Sequence, residues 1–118
     1  MPELKNLSEE QVMIAIHNGE SGPDVIQSDK HVAVIMTQNW CSQWAEMKNW
    51  IYAHADAPGL ALYLLIYDAS PHFKEFLEHK EQRWRNALIP YIRFYKNGKL
   101  AAETNYVPED EFIKLLQS

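Results

Sequence analysis

Two apolar runs with a helix-length segment between them limit the folds open to this chain more than anything else in it. The first, His31 to Met36, is rich in β-branched residues and reads as a buried strand. The second, Leu60 to Tyr67, is nearly all apolar, the pattern of a strand covered by helices on both faces. Between them, Ala45 to Ala57 contains no proline or glycine and reads as a helix. Trp40, Trp44, Met47 and Ile51 recur at helical intervals and define its apolar face, which Trp50 widens. Strands joined through such a helix are expected to lie parallel, as a right-handed βαβ unit.

The flanks extend this core. Leu7 to Val12 starts a helix: Ser8 caps it, Gln11 stands where a capping box needs it, and Leu7 with Val12 forms a hydrophobic staple. Val12, Met13 and Ile16 make its apolar stripe, and Gly19 ends it. Asn18 to Asp24 reads as a loop, and Val25-Ile26 is either a short strand or a packed connector. Ser70-Pro71 is expected to open another helix, with Ser70 as N-cap and Pro71 at its first position. Phe73, Phe76, Leu77 and Trp84 give that helix a dry side; Lys74, Glu75, Glu78 and Lys80 give it a wet one. Leu88 to Tyr95 alternates as a strand opened by a proline, Asn97-Gly98 turns the chain, and Leu100 to Thr104 returns. Pro108 to Gln117 closes as a helix, with Phe112, Ile113, Leu115 and Leu116 directed at the core. This order predicts an α/β fold: a mixed parallel and antiparallel central sheet flanked by helices.

Several functional classes fall away. A chain of 118 residues with a formal net charge of −5 fits one domain, and its acidity argues against nucleic acid or an anionic membrane as partner. No apolar run reaches membrane-spanning length, and Met1 to Lys5 lack the apolar stretch of a signal peptide, so a cytoplasmic location is expected. The lone cysteine excludes an internal disulfide. His17, His31, His54, His72 and His79 show no metal-ligand spacing with Cys41 or an acidic pair, so no metal is expected, and His72 and His79 read as solvated. No glycine-rich phosphate loop appears, and no serine sits in a nucleophile-elbow context.

What chemistry remains is concentrated in Thr37 to Trp44, where the first buried strand hands over to its helix and Cys41 sits at the junction. Free backbone N–H groups and the helix macrodipole favour negative charge at such a point, the setting in which proteins make a thiol reactive.

Trp40-Cys41-Ser42-Gln43-Trp44 after a buried strand resembles the Trp-Cys-x-x-Cys site of the thioredoxin superfamily. Ile89-Pro90, followed by Phe94-Tyr95-Lys96-Asn97-Gly98, is similar to that family's cis-proline loop and the hairpin after it. The resemblance covers roughly Asp29 to the C-terminus. It implies a single thioredoxin-like domain over 1–118, with an N-terminal helix at about 8–18 and the core at about 29–118. It implies that Cys41 is the nucleophile, exposed at the start of its helix, and that Trp40, Ser42 and Gln43 flank the substrate. It further implies that the Ile89–Pro90 bond is cis beside the thiol, and that Ile89 offers its backbone N–H and C=O to an extended peptide.

Two departures shape the expected chemistry. Trp44 stands where the family carries its second, resolving cysteine, and Ile35 stands where it carries a buried acid. That acid serves the second thiol; once the thiol is gone, burying it would only cost free energy, so the two changes agree. Asn49 also replaces a helix-kinking proline. Without a second cysteine, a mixed disulfide on Cys41 must be removed by an outside thiol such as glutathione. The resemblance therefore implies monothiol redox chemistry, by mixed-disulfide or glutathione exchange, rather than dithiol disulfide reduction. Glutathione enters as a co-substrate, with no bound cofactor, and the partners are proteins or low-molecular-weight thiols and disulfides. Arg83, Arg85 and Arg93, near the proline loop in sequence, are candidates for its carboxylates. The alternative is a binding or adaptor module that has lost catalysis and uses the Trp40, Cys41 and Pro90 surface, with Trp44 filling the core. A monomer is expected, a Cys41-linked dimer being the other arrangement.

Overall fold

A computed structural model of the chain describes residues 4–55 and 57–117. Met1 to Glu3, Asp56 within the stretch read as helix, and Ser118 lie outside the described residues. In chain order the elements are β1 (Lys5–Asn6), α1 (Glu9–Asn18), α2 (Pro23–Ile26), β2 (His31–Thr37), α3 (Ser42–Ile51), β3 (Leu60–Ile66), α4 (Phe73–Gln82), β4 (Tyr91–Lys96), β5 (Lys99–Thr104) and α5 (Glu109–Gln117). They build a five-stranded sheet in the order β1-β3-β2-β4-β5. β3 lies parallel to both β1 and β2, while β4 runs antiparallel to β2 and β5. The mixed α/β architecture read from the sequence is the one observed. Among the described residues, no helix is long and apolar enough to cross a membrane.

Strand alternation divides the core in two. Ala33, Ile35, Leu62, Leu64, Ile92 and Phe94 point to one face, where α3 supplies Trp44, Met47 and Ile51 and α5 supplies Phe112 and Leu116. Val32, Val34, Met36, Tyr63, Tyr91 and Tyr95 point to the other, against Val12 of α1 and Phe76 of α4. Each fully buried aliphatic or aromatic side chain contributes on the order of 1.5–3 kcal/mol. Local signals fix the ends. Gln11 N–H donates to Ser8 Oγ at 3.1 Å while Ser8 N–H donates to Gln11 Oε1 at 2.8 Å, completing the capping box. Asn97 and Gly98 take φ of 52° and 78°, the paired left-handed geometry of a two-residue hairpin.

The structure corrects several readings. Val25-Ile26 is neither strand nor connector but the end of the short helix α2, with Val25 fully buried. Ser70 does not cap α4: its hydroxyl accepts from His72 N–H at 3.1 Å within a turn, and the helix begins two residues later than Pro71 would place it. β4 begins at Tyr91, after Pro90 rather than before it. Most consequentially, Lys80 is not on a wet face. It is 0 % exposed, with Nζ donating to the carbonyls of Asn86 at 2.8 Å and Leu88 at 2.6 Å, and burial pulls its pKa down to about 8.

His79, read as solvated, is also buried, and neither ring nitrogen finds a hydrogen-bond partner among the described residues. Its ring stands edge-on to Trp84 with centroids 4.3 Å apart. Burial, then the charges of Arg83 and Arg93, push its pKa down, with Glu20 acting in the opposite sense. The unfolded chain therefore takes up a proton first as pH falls below about 6.5. Stability from this site is complete above that value and is lost on the acid side. The melting temperature is expected to fall as pH drops below about 6.5, and a His79→Leu variant should show a smaller fall in parallel thermal melts.

Candidate functional site

The Cys41 loop leaves the sheet at the end of β2 and is tied to the turn after β3. Asn39 N–H donates to both Asp68 carboxylate oxygens at 3.0 and 3.1 Å, and Gln38 Nε2 donates to Tyr67 Oη at 3.1 Å. Gln38 also accepts from the Trp40 indole N–H at 2.6 Å, and its carbonyl accepts from Cys41 N–H at 3.1 Å. Burial raises the Tyr67 pKa above the usual phenol value, keeping it a neutral anchor for Gln38.

Cys41 is the N-cap of α3, its Sγ accepting from the Trp44 N–H at 3.4 Å, and no acidic residue occupies the helix's first turn. The expectation of an exposed thiol is corrected: Cys41 is only 5 % exposed, because capping the helix turns the sulfur inward against the α3–α5 face of the core. Trp40, placed by its spacing on the helix's apolar face, instead precedes the helix and is 71 % exposed. Ser42 and Gln43 are exposed, and Trp44 fills the core.

The Ile89–Pro90 peptide bond is cis, and Met36 pairs with Tyr91 across the β2–β4 ladder. Pro90 and the Cys41 loop therefore leave the sheet at the same end. Two side chains that sequence reasoning missed hold the proline segment. Lys80 reaches it from α4, as described above; Asn105, in the turn after β5, donates through Nδ2 to the carbonyls of Leu88 at 3.3 Å and Pro90 at 3.0 Å. Asn86 and Asn105 also bond reciprocally through their amides, at 3.1 and 3.0 Å.

The arginines do not converge on this site. Arg93 is 5 % exposed and fully engaged: Nη2 donates to Glu20 Oε2 at 2.5 Å, Nη1 to Tyr91 Oη at 2.8 Å and Nε to Tyr95 Oη at 2.9 Å. Its guanidinium also lies 4.3 Å from the centroid of the Trp84 ring. Tyr95 in turn donates to Glu20, and Tyr91 to Glu103. Burial, reinforced by the Glu103 bond, pushes the Tyr91 pKa up to about 12. Arg83 lies against Gly19, at the end of α1. Arg85 is exposed, with a left-handed φ of 56°. Among the described residues, no three His, Cys, Asp or Glu side chains are grouped to hold a metal ion.

A parallel β2–α3–β3 unit and an antiparallel β4–β5 hairpin join in one mixed sheet, and solved structures share that fold. Thioredoxin O2 from Arabidopsis thaliana superposes with a TM-score of 0.70 at 15% identity, covering 98% of this chain and 93% of that one. The chain has the thioredoxin fold. Chlamydomonas reinhardtii thioredoxin f2 gives 0.68 at 16% identity over 98% and 94% of the two chains. Mitochondrial thioredoxin 3 from Saccharomyces cerevisiae gives 0.66 at 13% identity over 97% and 93%. No family sequence model matches the chain, and no curated protein does. At these identities the likeness establishes the thioredoxin fold and leaves the activity to be argued from the residues.

Proposed function

We propose that this chain carries out thiol exchange through one sulfur. The Cys41 thiolate attacks one sulfur of a partner disulfide, and the other sulfur leaves as a thiolate. An outside thiolate, glutathione's being the natural example, then attacks the partner's sulfur in the mixed disulfide. Cys41 is released and the partner departs bonded to glutathione. The observation that carries this reading is Cys41 at the N-cap of a helix whose first turn holds no acid, with Trp44 in the place a resolving thiol would need. Such chemistry needs a pool of reduced thiol, which points to a reducing, cytoplasmic setting.

The burial of Cys41 favours a second reading, in which the thiol is a spent cap and the exposed Trp40 surface docks partners without covalent chemistry. Incubation with oxidised glutathione followed by intact mass separates the two. One glutathione adduct per chain is expected, absent from Cys41→Ser and forming more slowly than on an unfolded control, since the sulfur must leave its cap. No adduct on the folded protein, together with resistance to iodoacetamide, would establish the docking module instead.

A further inference from the structure

The turn that carries the chain from β2 into α3 is fastened at every residue, and two of its fastenings meet in one side chain. Gln38 to Cys41 form a β-turn, closed by the Cys41 N–H donating to the Gln38 carbonyl. Asn39 N–H is taken by Asp68. An indole N–H can only donate, so Trp40 selects the Gln38 amide oxygen, at 2.6 Å. The amide nitrogen is thereby left to donate to Tyr67 Oη, at 3.1 Å. A chain of two bonds thus runs from a ring that is 71 % exposed to a tyrosine that is 0 % exposed.

That chain has a task because packing does not hold the ring. Trp40 belongs to neither core cluster, and its indole makes no other hydrogen bond among the described residues. An exposed side chain on a turn samples several rotamers unless a bond selects one. The far end is costly: a phenylalanine would fill the place of Tyr67 without a hydroxyl to desolvate, but it could not anchor Gln38. We propose that Gln38 is a positioning residue: anchored on Tyr67, it fixes the Trp40 indole next to Cys41 as a wall for the atoms that flank a partner's sulfur. The nature of what packs there rests on the thiol-exchange reading; the wall itself rests on the two bonds above.

The test compares the full chain with Gln38→Leu and Gln38→Glu in about 0.5 M salt, which screens the charge the second variant adds. Adduct formation at Cys41 is timed with oxidised glutathione, whose arms extend past the sulfur, and with iodoacetamide, which is too small to need the ring. Mobility of the indole is read from ¹⁵N relaxation of its N–H, assigned with Trp40→Phe. Gln38→Leu is expected to free the indole and to slow the glutathione reaction about fivefold, the net worth of one hydrogen bond, with the iodoacetamide rate unchanged. In Gln38→Glu the carboxylate still accepts from the indole while Tyr67 turns its hydroxyl to donate, so the wild-type ratio of the two rates should be kept. A merely structural Gln38 would alter both rates together. An unchanged ratio in Gln38→Leu, an equal fall for both reagents, a ratio not kept by Gln38→Glu, or an indole already mobile in the wild type would each overturn the proposal. Should the wild type take up no glutathione, the exchange reading fails, and the relaxation data alone then decide whether Gln38 orders the ring.

Discussion

Glu20→Ala is expected to lower the stability of the fold by roughly 3 kcal/mol, a melting-temperature loss on the order of 10 °C or more. The reason is asymmetric burial. Glu20 is partly exposed and could be rehydrated, but its partner Arg93 has a side chain only 7% exposed and cannot. Burial alone would disfavour the Arg93 charge; its bonds to Tyr95, Tyr91 and Glu20 more than offset this and hold its pKa above the ordinary value. Removing Glu20 also strips the acceptor from the Tyr95 hydroxyl and from the Ser21 N–H, which donates to Glu20 Oε1 at 2.8 Å. Glu103, with its carboxylate 3.7 Å from Arg93, is too distant and too solvated to substitute. Urea unfolding measures the loss. Because the penalty belongs to an orphaned buried charge, Glu20→Ala combined with Arg93→Met should cost less than Glu20→Ala alone. Additive losses would show that the network acts only by packing.

Trp44→Cys should have a comparable effect on stability and a larger one on chemistry. Trp44 is among the largest fully packed side chains, and truncating it to a thiol leaves a cavity worth about 3 kcal/mol. Its indole N–H has no hydrogen-bond partner among the described residues, so that part of the side chain is not missed. The new thiol lies three residues after Cys41, across one helical turn, within the span a disulfide bridges. Mild oxidation is expected to remove two hydrogens from the intact mass, and a glutathione adduct should no longer accumulate, because the second thiol expels it from within. Two titratable thiols surviving oxidation would mean that Cys41 does not turn out of its cap, which counts against the proposed exchange as well.

The fold was legible because its signals are redundant. The double-sided apolarity of β3, the helix-length gap before it and the Asn97-Gly98 turn each point to the same mixed sheet. The site was legible only as a set of positions. Cys41 at the start of a helix follows from where the strand stops, but whether its sulfur faces solvent or the Trp44 N–H depends on a side-chain rotation that spacing does not encode. Lys80 and Arg93 escaped for a related reason. On α4, Lys80 falls among charged residues and looks wet, and its real surroundings come from a loop that follows it in sequence. Arg93 did carry a usable signal: Tyr91, Arg93 and Tyr95 alternate with Ile92 and Phe94 in a strand apolar on both faces, where a buried cation requires an acid. Nothing local, however, names Glu20, more than seventy residues away.

The two ends of the sheet are secured in different ways. Opposite Cys41, the chain is fastened by main-chain bonds: Asn97 N–H to the Lys30 carbonyl at 2.9 Å, and His31 N–H to the Gly59 carbonyl at 3.0 Å. Around Cys41 and Pro90, the fasteners are the side chains of Asp68, Gln38, Lys80 and Asn105. Away from Gly59, Asn97 and Gly98, whose φ is positive, one pole of the molecule can therefore change residue type and keep its shape, because any amino acid brings the same peptide groups. The other can be reshaped by a single codon change, which makes it the end where a new specificity is most readily acquired or lost.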